Sequence, residues 1–378
     1  MSTRNIKFAQ CPPATQAEIA VLNHESSLAR YWSVLSQWPE RQGTALQIAD
    51  EEKKRNQFFG DASALDRLVA LGQARCGSYP ERLETHLLAA RIDSMRHHFA
   101  QAKLHVCSAE NLGAAPDELL ELRLALDQAT GENPDALLSA RQDSAKLKPS
   151  LQNLVPLAAL YAERCDIEMA EQTYLQALAA YEDLSPFPLA WVCFQLGLLW
   201  GETASTTDPE QAAYWYKQAL AYLPGYTHAS VHLAEIYLAA GDHAQAQALL
   251  HLSLKSGDPE VFWRLEQIQQ AEGNDQEAQR YHVLAVQTYE SLLARHELAF
   301  ADHAAEFYLS DGNSEQEYKR GFALAKLNLA NRPTLRAFEL TYLGARAVGD
   351  QGYASQTLAQ AREKFGMHKA FGISSFAN

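Results

Sequence analysis

The sequence has 378 residues, 47% of them hydrophobic, and 46 Asp and Glu stand against 32 Lys and Arg. That hydrophobic share argues against a disordered chain, and the length exceeds one ordinary compact domain unless the core grows in one dimension, as in a repeat array. The formal charge of −14 argues against nucleic acid or an anionic membrane as the main partner, because a negative field repels phosphate.

In chain order, the opening MSTRNIKFAQC lacks the apolar run of a secretory signal, and Cys11 lacks the hydrophobic context of a lipid-attachment site. Residues 1–48 read as an extension, helical or partly disordered. Within it, Thr15 to Trp38 carries Val21, Leu28, Trp32 and Leu35 on one helical stripe. Residues 49–82 read as a capping half-repeat, with Leu65 to Ala74 helical in period. From residue 83 to 368 the pattern is repetitive. In the template Leu151 to Leu184, a first helix carries Leu157, Ala158 and Tyr161, and a turn follows at Cys165-Asp166. A second helix then carries Ala170, Tyr174, Ala177 and Leu178. Asp166 stands where an N-cap belongs, and the small Ala158 and Ala170 let two antiparallel helices approach closely.

The small residue of the second helix recurs at Ala102, Ala136, Ala170, Ala212, Ala246, Ala278, Gly321 and Ala354. Three of the intervals are 34 residues (102 to 136, 136 to 170, 212 to 246), and those of 32 and 33 need only loop trimming. The two long intervals contain insertions confined to turns. One turn ends in Asp208-Pro209, an N-cap followed by a helix-starting proline. The other leads into Ser314 and Glu317 at capping-box spacing. The most apolar stretch, Phe187 to Trp200, is too short to span a bilayer and contains Pro188, Gln195 and Gly197. Residues 369–378 read as a tail. The prediction is an all-α, right-handed superhelical solenoid of antiparallel helix pairs.

These residues resemble the tetratricopeptide repeat superfamily. The best copy runs from Thr227 to Asp258, where Leu233, Ala234, Tyr237, Gly241-Asp242, Ala246 and Leu250 follow the family's large, small, aromatic, turn, small, large order. Leu196-Gly197, Ala219-Leu220 and the helix-stopping Pro224 follow it one repeat earlier. The resemblance covers residues 83 to 368, about eight helix pairs by the spacing rule. Cys165 departs from it by replacing the usual turn glycine, and Ser253 by replacing a packing alanine.

The resemblance implies that the first helix of each pair lines a concave groove. Carried over by position, the partner-binding candidates are Trp191, Phe194, Leu198, His228, Val231, Glu235, Trp263, Gln267, Asp302 and Glu306. Glu84, Glu118, Glu121 and Glu339 are the corresponding acids of the outer repeats, with Arg91 and Arg336 as basic exceptions. An acidic groove with an aromatic centre suits a protein or peptide partner of basic or amphipathic character, held by a scaffold or adaptor. The family's carboxylate clamp of Lys, Asn and Arg is missing, since Gln152, Val155, Pro156 and Ala159 hold clamp-like positions. Unpaired apolar faces on the terminal helices offer a route to self-association.

No sequence motif for phosphate, dinucleotide, acyl transfer or catalytic zinc occurs, so no enzyme, cofactor or metal is assigned. His228, His232 and Glu235 share a helical face and form the one arrangement resembling a metal site. Chance supplies that spacing often. His97, His98, His296 and His303 read as solvated. The five scattered cysteines lack any C-x-x-C and read as reduced thiols in a cytoplasm. The alternatives are a ligand- or metal-binding accessory protein, an enzyme with a site hidden in the groove, or a peptide-sensing regulator. The last lacks an evident helix-turn-helix at its N-terminus.

Overall fold

A computed structural model describes residues 12–203, 207–310 and 314–365, and every regular element among them is helical. In chain order these are α1 (Ala17–Gln37), α2 (Thr44–Phe59), α3 (Ser63–Ser78), α4 (Leu83–Met95), α5 (Phe99–Asn111), α6 (Pro116–Thr130), α7 (Pro134–Leu147), α8 (Leu151–Glu163) and α9 (Ile167–Ala179). Then follow α10 (Pro186–Leu198), α11 (Pro209–Tyr222), α12 (Thr227–Ala239), α13 (His243–Ser253), α14 (Pro259–Ala271), α15 (Asp275–Tyr308), α16 (Glu315–Asn331), α17 (Leu335–Ala347) and α18 (Gln351–Phe365). The start of the N-terminal extension, Cys11 and the tail 369–378 lie outside the described residues.

Pairs of these helices pack as antiparallel hairpins: α2 with α3, α4 with α5, α8 with α9, α10 with α11, α12 with α13 and α17 with α18. Helix α15 serves two pairs. At His296 the backbone leaves the helical region (φ −143°, ψ 51°), so the first half of α15 packs on α14 and the second half opens a pair with α16. Residues 44–78 thus hold a complete hairpin where the sequence suggests a half-repeat, because α2 begins at Thr44 and runs sixteen residues.

The recurring small residue has a simple structural meaning: it is the fourth residue after the N-cap of the second helix. Asp166, Asp208, Asp242 and Asn274 precede Ala170, Ala212, Ala246 and Ala278 in this way, and all four alanines are buried. There the helix first meets its partner, and a larger side chain would hold the two backbones apart. Ala136 departs from the pattern. It is exposed, since Asn133 accepts the first helical bond from Leu137 (2.9 Å), which puts the buried Leu137 in the slot one residue later. Gly321 departs in the other direction, because the capping box of Ser314 and Glu317 starts α16 a turn early. Cys165 takes the turn glycine's place literally, with a left-handed φ of 57°.

The chain divides into two compact units, residues 1–22 with 138–224, and residues 23–137 with 225–378. In the first, Tyr174 and Tyr216 fill the space beside their small neighbours. Glu171 accepts hydrogen bonds from Trp200 Nε1 (3.1 Å) and Gln211 Nε2 (2.8 Å), tying α9 to the segment after α10 and to the first turn of α11. In the second, the part of α1 from Asn23 onward packs on the α2–α3 hairpin, with Leu28 buried and Trp32 and Leu35 on the same core. The fully buried Glu52 accepts from Trp32 Nε1 (3.1 Å) and from Arg67 Nε and Nη2 (2.8 and 2.7 Å), so its charge is paired inside the protein.

Two stretches of the second unit distant in sequence also pack together. Phe58 meets Tyr226 edge-on at 4.9 Å, and His296 Nε2 pairs with Asp66 Oδ1 at 2.8 Å. Asn331 Nδ2 donates to His97 O at 3.0 Å. Gly60 caps α2 with a left-handed φ of 64°, and a Cβ there would stand 3.1 Å from Ser256 Cβ. Both its conformation and its close neighbour require glycine.

Candidate functional site

All ten candidate partner-binding residues lie on first helices of their pairs, but the rotation of those helices divides them. In the first unit Phe194 is buried against Tyr216 (ring centroids 5.8 Å), whereas Trp191 and Leu198 are half-buried. In the second unit Val231 is closed to solvent in the core of α12, α13 and α14. Trp263 is also core, packed edge-on against Phe307 at 5.7 Å. Phe194, Val231 and Trp263 are therefore packing residues, because an apolar side chain at helical spacing gains more from the interior than from a wet face.

The polar candidates of the second unit remain accessible. Glu235 on α12 pairs with Arg264 on α14, whose Nη1 donates to Gln267 Oε1 at 3.0 Å and whose guanidinium covers the Trp263 ring at 3.6 Å. Glu306 on α15 pairs with Arg336 on α17 at 2.6 Å, and Arg336 also reaches Glu339 at 3.0 Å. Acids on one first helix thus meet arginines on the next. Glu306 and Arg336 are 38% and 45% exposed, so that pair is held weakly and can exchange partners, whereas Arg264 is only 11% exposed and holds Glu235 more firmly.

Of the three residues that form a metal-like row in sequence, His228 turns to Asp258 while His232 and Glu235 stay together. His228 Nδ1 faces Asp258 Oδ2 (3.7 Å), while His232 Nδ1 faces Glu235 Oε2 (3.3 Å).

The second unit also holds a half-open cavity of about 240 Å³ lined by both charged and apolar side chains. Asp258, the N-cap of α14, accepts from Glu260 N through Oδ1 (2.9 Å). Glu260 Oε1 contacts His303 Nδ1 at 2.5 Å, and Asp302 lies 3.6 Å from Arg332. Burial opposes charge on His303, yet Asp302 and Glu260 outweigh it and hold the imidazole up to about 10. Burial also works to raise Glu260, but His303 overcomes it and keeps that carboxyl well below its usual range. Burial pushes Asp258 up, with Glu260 adding to the effect. His97, desolvated and facing Arg332, is pulled down to about 4, so it is neutral at pH 7.

Of the four histidines read as solvated from sequence, His296 is interior, His97 and His98 are half-buried, and His303 is exposed. His296 is 3% exposed, and His97 Nδ1 bonds to Leu298 O at 3.0 Å. His303 lines the cavity. Their partners lie far along the chain or on a neighbouring helix, so no local pattern marks them.

Stacked antiparallel helix pairs, each closed over a small residue, define an α-helical repeat protein. Residues 205–268 match the family model of the tetratricopeptide repeat. No curated protein matches the sequence significantly. Similar solved structures include the APC/C hetero-tetramer Cut9-Hcn1, at 13% identity over 74% of this chain and 54% of that one, with a TM-score of 0.49. This chain therefore spans about half of that one. PilF of Pseudomonas aeruginosa is similar at 16% identity over 84% of this chain and 98% of that one, with a TM-score of 0.33. The TPR domain of P58(IPK) is similar at 13% identity over 95% of this chain and 96% of that one, with a TM-score of 0.30.

Proposed function

We propose that this protein is a scaffold or adaptor that holds a partner protein or peptide of basic or amphipathic character. Proteins of this family are generally scaffolds without catalytic activity. The observation that carries the reading is the row of acid–arginine pairs on first helices of the second unit, Glu235 with Arg264 and the more exposed Glu306 with Arg336. A basic side chain of a partner can take Glu306 by displacing Arg336, at little cost while both remain solvated, and can add to Glu235 beside Arg264. The excess of acids over bases in the whole chain favours the same class of partner and raises its rate of encounter. Trp191 and Leu198, half-buried on α10, offer the first unit an apolar contact of its own.

No helix among the described residues is long and apolar enough to cross a membrane. A cytoplasmic scaffold acting without metal or cofactor is part of the proposal. The test is affinity purification of the full chain from its native cells, with the recovered partner then titrated in pure form. Combined Glu235→Lys and Glu306→Lys substitutions should weaken that binding about tenfold or more, with a steep salt dependence in the wild type. Unchanged affinity and no salt dependence would reject this face as the binding site.

A further inference from the structure

His86 on α4 and His105 on α5 belong to neither the cavity nor the face described above. Their Nδ1 atoms are 3.1 Å apart. With ring centroids 5.4 Å apart, the rings meet at these nitrogens and not face to face. Leu87 and Val106, next to them in the chain, are buried in one shared core, which fixes the rotation of both helices. The far side of each ring is anchored as well. His86 Nε2 donates to Pro80 O at 2.9 Å, since a carbonyl can only accept. His105 Nε2 faces Asp93 Oδ2 at 3.7 Å, close enough to favour a proton on that nitrogen, while Asp93 Oδ1 lies 3.7 Å from Arg96 Nη1. Both rings are half-buried, so they are held in place yet open to an ion.

Because Pro80 takes the Nε2 proton, a neutral His86 presents a lone pair at Nδ1. Asp93 orders His105 in the same sense, which turns a second lone pair toward the first. Two such lone pairs repel unless a positive centre lies between them. A proton on one Nδ1 supplies it, at the expense of the His105–Asp93 contact; a metal ion supplies it with both outer contacts kept. Burial lowers the pKa of His105 from its ordinary value against the pull of Asp93, so the ring is neutral at pH 7.5 and free to ligate. A carbonyl or carboxylate on the far nitrogen is also what orients histidine ligands of metals and raises their basicity. Tetrahedral coordination at about 2.0–2.1 Å puts two ligand nitrogens about 3.3 Å apart, so the rings need to part by only a few tenths of an ångström. We propose that His86 and His105 bind one divalent transition-metal ion of the Zn²⁺ class through their Nδ1 atoms, with Asp93 as the outer partner of His105. No third side-chain ligand closes on the pair among the described residues, so water completes the coordination. The ion braces α4 against α5. Holding a partner protein does not require it, and the proposal does not rest on the scaffold reading.

The experiment is calorimetric titration of the full chain with Zn²⁺ at pH 7.5, with Mg²⁺ as the oxygen-seeking counterpart, on wild type, His86→Gln and His105→Gln. Zn²⁺ should bind the wild type and Mg²⁺ should not. Each single substitution should lower Zn²⁺ affinity at least about tenfold, because losing a ligand costs no less than losing its outer partner. Asp93→Asn keeps both ligands and should lower it about tenfold, with an unchanged circular dichroism spectrum. The exposed His251 can bind metal too, so the ligand count is read separately on the wild type. The first equivalent of Cu²⁺ should show two coupled imidazole nitrogens in its paramagnetic resonance spectrum. No Zn²⁺ binding, full affinity in either histidine variant, or a Cu²⁺ spectrum with a single nitrogen would each overturn the proposal. Any of these would leave the two rings as a hydrogen-bonded pair only.

Discussion

Gly197→Ala tests the close approach of paired helices at the point where the structure leaves least room. A Cβ at residue 197 of α10 would stand 2.3 Å from Tyr216 Cε1, 2.4 Å from Cδ1 and 2.8 Å from Cζ on α11. Carbon atoms in contact sit about 3.5–4.0 Å apart, so ring and backbone must separate by more than an ångström. The ring cannot step aside, because Tyr216 is 2% exposed and its other neighbour is Phe194. Overpacking of this kind costs about 1–3 kcal/mol, while alanine in place of glycine returns about 1 kcal/mol of helix preference. Contacts this short put the cost at the upper end of that range, so the expected net loss is about 2 kcal/mol, read by urea denaturation followed through the fluorescence of Trp191, Trp200 and Trp215 in the same unit. Gly352→Ala in α18 is the control. There a Cβ meets only Asp350 Oδ1 at 3.6 Å, and a small gain in stability is expected. Trimming the ring in the double variant Gly197→Ala with Tyr216→Leu should recover part of the coupling. A Gly197→Ala protein as stable as wild type would refute the packing argument.

Trp263→Ala should destabilise the second unit by about 3–5 kcal/mol as a core deletion, measured by urea denaturation; a loss below about 1 kcal/mol would return Trp263 to the binding face. His282 bridges Glu266 (3.0 Å) and Glu317 (2.8 Å), and those hydrogen bonds raise its pKa above the ordinary value, overcoming burial. Its contribution to stability is therefore complete below the unfolded value of about 6.5 and is lost as pH rises through the raised native value. Stability of wild type minus that of His282→Gln, measured from pH 5 to 9, should fall across that window; a flat difference would contradict the bridge.

The register of the repeat was legible because one geometric constraint, a small residue four positions after the N-cap, recurs in the sequence as alanine. It failed at Ala136, where α7 starts one residue later than the regular spacing implies and Leu137 takes the contact instead. The insertions at Asp208 and Ser314 were equally legible, since capping chemistry is local: Asp208 accepts from Gln211 N at 3.0 Å, and the Ser314–Glu317 box forms in full. Facing was less legible. A few tens of degrees of helix rotation separate Glu235, which is accessible, from Val231, which is core. The cavity could not be read at all, because Asp258, Tyr289, His303 and Arg332 come from different helices and connections, and no spacing rule links them.

The scaffold reading stands most directly on hydrogen exchange of the full chain alone and saturated with its purified partner. The account predicts that binding slows exchange along α12, α14, the second half of α15 and α17, and leaves the partner helices α13 and α18 as they were. Protection confined to those second helices, with the first helices unchanged, would contradict it.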